Sequence, residues 1–209
     1  MEAALVYQWH RNVLAVHEQA EAAVALSTEQ GFTLWAAWGT SLRGWALAMQ
    51  GQGDEGLTQV RQGIAACRAA GNILFVPYFG ALLAEACAHL GHTEDGLQAL
   101  AEAQTLIDQH EERWWEAEVH RLRGVLLLRQ PGTQQAEAET WLQQALAIAR
   151  RQQAKSLELR AAMSLTRLWQ QQGKRAEARE LLAPVYGWFT EGFDTADLQE
   201  AKALLDALA

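Results

Sequence analysis

The chain has little proline, little cysteine and no long apolar run. Three prolines in 209 residues leave room for long helices, because a proline inside a helix removes a backbone donor and clashes with the preceding turn. The two cysteines, Cys67 and Cys87, form no Cys-x-x-Cys, so no redox motif or zinc-site half is present. They are expected to be reduced, buried thiols. The apolar run Val125-Leu126-Leu127-Leu128 is flanked by Arg123 and Arg129, far short of the ~20 apolar residues that span a bilayer. The start, Met1-Glu2-Ala3, lacks the basic segment and apolar core of a secretory signal. These features predict a cytoplasmic protein that does not enter membranes.

Basic residues are also scarce. Seventeen Lys and Arg against 25 Asp and Glu give a net charge of −8, which repels phosphate backbones and argues against nucleic acid as a partner. β-Branched aliphatics are few: Val and Ile total 13, against 39 Ala and 30 Leu. Ala and Leu lose little on entering a helix, whereas β-branched residues lose χ1 freedom. The expected class is all-α.

Catalytic and metal signatures are missing too. No HExxH occurs, and no GxSxG elbow. His89 and His92 are three apart with Gly91 between them, and His10 and His17 straddle an expected helix break at Asn12. Neither pair has a further ligand at metal spacing. Glu111, Glu112, Glu116 and Glu118 cluster at an expected helix start, where carboxylates suit the positive end of the dipole. The reading is a non-enzyme with no metal and no cofactor.

What the chain does have is repetition. Gln50-Gly51-Gln52-Gly53-Asp54-Glu55-Gly56-Leu57 maps onto Leu90-Gly91-His92-Thr93-Glu94-Asp95-Gly96-Leu97 at an offset of 40, and the frame returns at Gln172-Gly173-Lys174-Arg175-Ala176-Glu177-Ala178. Arg43-Gly44-Trp45 matches Arg123-Gly124-Val125, after which the turn Gln130-Pro131-Gly132-Thr133 is two residues longer. The sets Gly56-Val60-Gly63, Gly96-Leu100-Ala103, Ala138-Leu142-Ala145 and Ala178-Leu182-Val185 place small and large residues on one helical face, suited to a close crossing with a neighbour. This is the helix-turn-helix pattern of tetratricopeptide (TPR) repeats, with a period nearer 40 than ~34 residues.

The expected architecture is an α-solenoid of about five such repeats in a single domain over 1–209. The repeats fall at about 1–31, 32–71, 72–110, 111–152 and 153–193, with a capping helix over 194–209. Helices are predicted near 2–11, 13–30, 32–50, 54–70, 73–90, 94–109, 111–129, 135–152, 154–172 and 175–190. Asn12 and Asp194 are the expected N-caps of the second and last helices, with Asp197 three residues after Asp194. Pro77 should delay or kink its helix start and Pro184 should bend its helix.

Three segments add a resemblance: Leu181 to Leu198 (LLAPVYGWFTEGFDTADL), Leu42 to Ala48 (LRGWALA) and Glu111 to Glu118 (EERWWEAE). Together they resemble the C-terminal TPR region of large bacterial signalling proteins, in which a nucleotide cyclase or DNA-binding domain precedes an ATPase module. The resemblance covers essentially the whole chain. It implies a regulatory role that senses a partner or an effector. No GxxxxGK[ST] phosphate loop or cyclase carboxylate pair is found, so those catalytic activities attach to no residue here.

In the repeat frame, first-helix positions that line the groove of TPR arrays hold Trp38, Trp45 and Met49, then Tyr78, Glu85 and His89, then Glu118, Arg121 and Arg129, then Arg160, Met163 and Arg167. The groove would run from aromatic to basic. The same tryptophans suit a packed core, because Trp carries a large apolar surface, and they suit a binding hot spot. The leading expectation is a protein or peptide partner, with an apolar anchor on Trp38, Trp45 and Tyr78 and its carboxylates on Arg121, Arg160 or Arg167. The alternative is an effector-sensing domain in which a small molecule wedges between repeats. The tail Tyr186-Gly187-Trp188-Phe189 suggests either homo-oligomer contacts or tucking under the last helix, since terminal repeats need capping.

Overall fold

A computed structural model describes residues 1–132 and 135–208. It is all-helical, with no strand among those residues. The chain divides into two compact units, Met1–Arg113 and Trp114–Ala209. The first contains α1 (Glu2–Trp9), α2 (Val13–Glu29), α3 (Thr33–Met49), α4 (Gly53–Ala69), α5 (Val76–Leu90) and α6 (Thr93–His110). The second contains α7 (Glu116–Leu127), α8 (Gln135–Arg151), α9 (Lys155–Gln171), α10 (Arg175–Tyr186) and α11 (Ala196–Ala207). No described helix is long and apolar enough to cross a membrane.

The turns set the rhythm. Left-handed backbone occurs at Arg11, Gly31, Gly51, Gly71, Gly91, Glu111, Gly132, Gln153, Gly173 and Gly192, one every 19 to 21 residues. Two such steps make the forty-residue period. Gly51 and Gly91, at φ +91° and +83°, occupy a region where a Cβ clashes with the backbone. Where the sequence lacks glycine, Arg11, Glu111 and Gln153 take the same conformation at φ 55–58°. Thr133, expected in the longer turn, lies outside the described residues, as does Ala209 of the expected capping segment.

Within a hairpin, small residues bring the helices together. A Cβ on Gly44 of α3 would lie 2.7 Å from Gly56 O and Val60 N of α4. One on Gly63 would fall on the Ser41 hydroxyl and 2.6 Å from Ala37 O. In the second unit, a Cβ on Gly124 of α7 would meet Leu142 at 2.8 Å and Ala138 O at 3.0 Å on α8. These are the residues that the repeat pattern placed on facing surfaces. Around them, Leu42, Val60, Leu100 and Leu142 are fully buried.

Local chemistry accounts for several helix starts. Asn12 caps α2, its Oδ1 accepting from Ala15 N at 3.1 Å. Pro77 sits in the first turn of α5 and the helix starts at Val76, three residues after the expected start. Asp54 and Glu55 open α4, and Glu94 and Asp95 open α6, on the positive side of each dipole.

Three expected boundaries are corrected. Helix α7 begins at Glu116 rather than near 111, because Glu111 takes the left-handed turn that ends α6. Glu111 and Glu112 therefore do not open a helix. The N-cap position of the last helix is Thr195, not Asp194, and its side chain does not cap the helix; the Thr195 hydroxyl donates instead to Gly192 O at 2.6 Å, while Asp197 turns inward to Arg160. Helix α10 ends at Tyr186 rather than near 190, with Pro184 inside its last turn. Beyond it, Tyr186 and Phe189 pack against the core of the second unit, which includes Leu182, Val185 and Leu198. Trp188 is 57% exposed, with Lys155 Nζ 5.5 Å from its ring.

Candidate functional site

The first helices of successive hairpins pack side by side, α3 against α5 in one unit, and α7 against α9 and α9 against α11 in the other. Of the residues expected to face a partner, Trp38, Trp45, Glu85, Arg121, Arg160 and Arg167 make contacts across these seams.

In the first unit the seam is aromatic. Trp38 of α3 stacks on Phe75 at 3.9 Å between ring centroids, with Trp35 at 5.2 Å and Phe79 at 6.1 Å. Trp38 is buried, and its indole Nε1 is enclosed without a hydrogen-bond partner among the described residues. Trp45 is fully buried; its Nε1 donates to Glu85 Oε2 at 2.8 Å, forty residues on. Tyr78 is fully buried, and its hydroxyl donates to Gln8 Oε1 of α1 at 2.8 Å. Met49 and Glu85 are half-buried and His89 is exposed. Trp45 and Tyr78 therefore serve as core and present no open surface for an anchor. The accessible aromatic surface of this seam comes instead from Trp35, 41% exposed, whose ring lies 5.2 Å from that of Trp38. Trp35 precedes Trp38 by three residues on the same helix, and Phe75 stands at the N-cap position of α5.

In the second unit the seam is ionic. Arg121 of α7 forks onto buried Glu118, Nε to Oε2 at 2.8 Å and Nη2 to Oε1 at 2.7 Å, and its Nη1 donates to Ser164 Oγ of α9 at 3.2 Å. Arg160 of α9 is buried; its Nε donates to Asp197 Oδ2 of α11 at 2.7 Å, and its Nη1 lies 3.7 Å from Glu118 Oε1. Arg167 pairs with Glu200 of α11 at 2.7 Å. Met163 is buried and Arg129 exposed. The carboxylates expected from a partner are thus supplied by the chain itself. Composition could not reveal this, since the acids lie three to forty-two residues from the arginines they meet.

Glu158 is a titratable carboxylate perturbed by its neighbours. Burial works against its charge, but hydrogen bonds from Lys155 Nζ at 2.7 Å and Arg150 Nε at 3.0 Å outweigh that and hold it below the usual carboxylate range. Cys67 and Cys87 are buried free thiols. Burial pushes both up to about 11. Among the described residues no group of three or more His, Cys, Asp or Glu is arranged to hold a metal ion.

No protein-family model matches the chain. No curated protein matches it. Solved structures do. Two crystal structures of nearly identical TPR-like repeats from a Podosopora anserina protein, described as a kinesin light chain, share its fold. One, a point variant, is 20% identical, covers 89% of this chain and 91% of its own, and superposes with a TM-score of 0.57. The other is 18% identical, covers 99% and 93%, and has a TM-score of 0.55. At these identities the likeness establishes the fold, a TPR-like repeat array of the α-solenoid class.

Proposed function

We propose that this chain, as a TPR-type repeat domain, is a non-enzymatic interaction module that holds a peptide or protein segment on the face formed by the first helices of its hairpins. The observation that carries this reading is the aromatic seam of the first unit. Trp38 is backed by Phe75 and Phe79 and edged by the exposed ring of Trp35. A rigid aromatic platform with an open rim is the kind of surface on which a few residues dominate binding. The anchor point is Trp35, since Trp45 and Tyr78 are enclosed. The fold supports a role as a scaffold, and the resemblance of its motifs supports placement in a bacterial signal-transduction protein in the cytoplasm.

A peptide array probed with the purified chain, followed by titration of the strongest binder, tests the reading. Trp35→Ala should weaken that binder about tenfold or more, the scale of a hot-spot residue, with unchanged helicity. An array without binders, or a binder indifferent to Trp35→Ala, rejects the assignment.

A further inference from the structure

In the second unit, α9 packs against one side of the α7–α8 hairpin. Arg121 of α7 reaches Ser164 of α9, and Glu139 of α8 accepts from Trp169 Nε1 of α9 at 2.8 Å. Arg123 and Trp141 stand two residues further along their helices, about 200° around each axis, and so lie on the side turned away from α9. There the Arg123 guanidinium stacks over the Trp141 ring, 4.2 Å from its centroid, and the His120 ring meets the same indole edge-on at 5.0 Å. All three side chains are half-buried.

The repeat supplies an internal comparison. Arg43 and Arg123 hold the same position of the repeat, as do Gln59 and Trp141 once the longer turn is allowed for. In the first unit Arg43 Nε donates to Gln59 Oε1 at 2.9 Å, and Gln59 in turn donates to Glu55. In the second unit an indole, which has no acceptor, takes the glutamine's place. Among the described residues Arg123 makes no hydrogen bond or ion pair, and its Nε is enclosed without a partner. Two acids share this side of the hairpin. Glu116 is buried and lies 3.8 Å from Arg151, and exposed Glu137, one turn before Trp141, makes no ion pair with Arg123.

We propose that Arg123, Trp141 and His120 form a carboxylate site on the outer side of α7–α8. Stacking holds the guanidinium plane against the indole, which leaves its edge donors to grip a planar oxyanion. The Trp141 and His120 rings give the body of the ligand an apolar wall. A guanidinium has donors only, so an ammonium finds no acceptor on it, and a neutral amide lacks the charge that strengthens the contact. The site lies in the second unit and does not depend on the aromatic seam of the first.

Heteronuclear NMR of the full chain, reading the Arg123 Nε–H and the Trp141 indole N–H, tests this by titration with benzoate, with benzamide and benzylamine as matched probes. Benzoate should give saturable shifts at both groups and bind more tightly than either control. An acetylated and amidated Ala-Glu-Ala peptide, compared with benzoate, shows whether the site prefers a protein side chain or a free acid. Arg123→Gln should lose about tenfold or more in affinity, as expected for hydrogen bonds to a charged group, read at Trp141. Trp141→Gln should recreate the Arg43–Gln59 arrangement, occupy Arg123 Nε and weaken benzoate by a similar factor, read at Arg123. Circular dichroism checks that both variants keep their helicity. No saturable shift, an equal response to the amide or the amine, or benzoate binding that survives either substitution would overturn the proposal. Trp35→Ala should leave benzoate binding unchanged, which separates failure here from failure of the partner-binding reading.

Discussion

Arg160 on α9 and Asp197 on α11 meet at 2.7 Å with both side chains almost wholly withdrawn from solvent. This pair ties the last helix to the preceding first helix, one repeat away. Asp197→Asn removes the nearest anion from a buried guanidinium, and the expected cost is about 2 kcal/mol. The double change Arg160→Met, Asp197→Leu should recover most of it, because two apolar side chains do not carry the desolvation cost of two charges. Urea denaturation of the three variants checks this ordering.

Gly44 and Gly31 separate packing from backbone strain. At Gly44 an added methyl meets backbone of α4 at 2.7 Å, so the hairpin must open. Gly44→Ala should destabilise by about 2–3 kcal/mol, at the upper end of overpacking effects. At Gly31 nothing lies within 4 Å, but φ is +74°. Gly31→Ala should cost only the left-handed strain, about 1 kcal/mol. Thermal melts of both variants should rank them in that order.

Glu158 makes stability depend on acid pH. Its folded-state pKa is lowered by Lys155 and Arg150 against the opposing effect of burial. The native state therefore favours the charged form. The resulting stabilisation is complete above the ordinary carboxylate value and is lost as pH falls through the lowered folded value. Glu158→Gln should be less stable than the parent at pH 7, and the difference should shrink as the solution is acidified. Urea midpoints at several pH values measure it.

The two thiols should be silent in the native state. Cys67 and Cys87 are fully buried and held near 11. A thiol reagent at neutral pH should label neither until denaturant is added, since the thiolate is the reacting form. The sign of the linkage is opposite to that of Glu158: the native preference for protonated thiols holds below the ordinary thiol value and is lost as pH rises toward 11. Rapid labelling of the folded chain would contradict this burial.

The repeat was legible because its causes are local. Gly31, Gly51, Gly71 and Gly91 stand twenty residues apart, and each turns the chain where other residues are strained. Asn12 announces a helix start by its own side chain. Arg11, Glu111 and Gln153 were not legible, because they adopt the same left-handed backbone without being glycine. For the same reason α7 began five residues later than its glutamates suggested. Arg61 and Arg68 of α4 pair with Asp95 and Glu102 of α6 at a shared spacing of seven, and that match depends on how the two helices pack.

By itself, the sequence determined the helices, their forty-residue period and the small residues at which they cross, because propensity, turn glycines and facing periodicity act over a few residues. The tertiary structure decided which side chains remain available. Trp45 and Tyr78 became core, and Arg121, Arg160 and Arg167 found acids of their own chain. Exposure and charge pairing depend on what the neighbouring repeat places opposite each residue, and that is settled only when the helices pack.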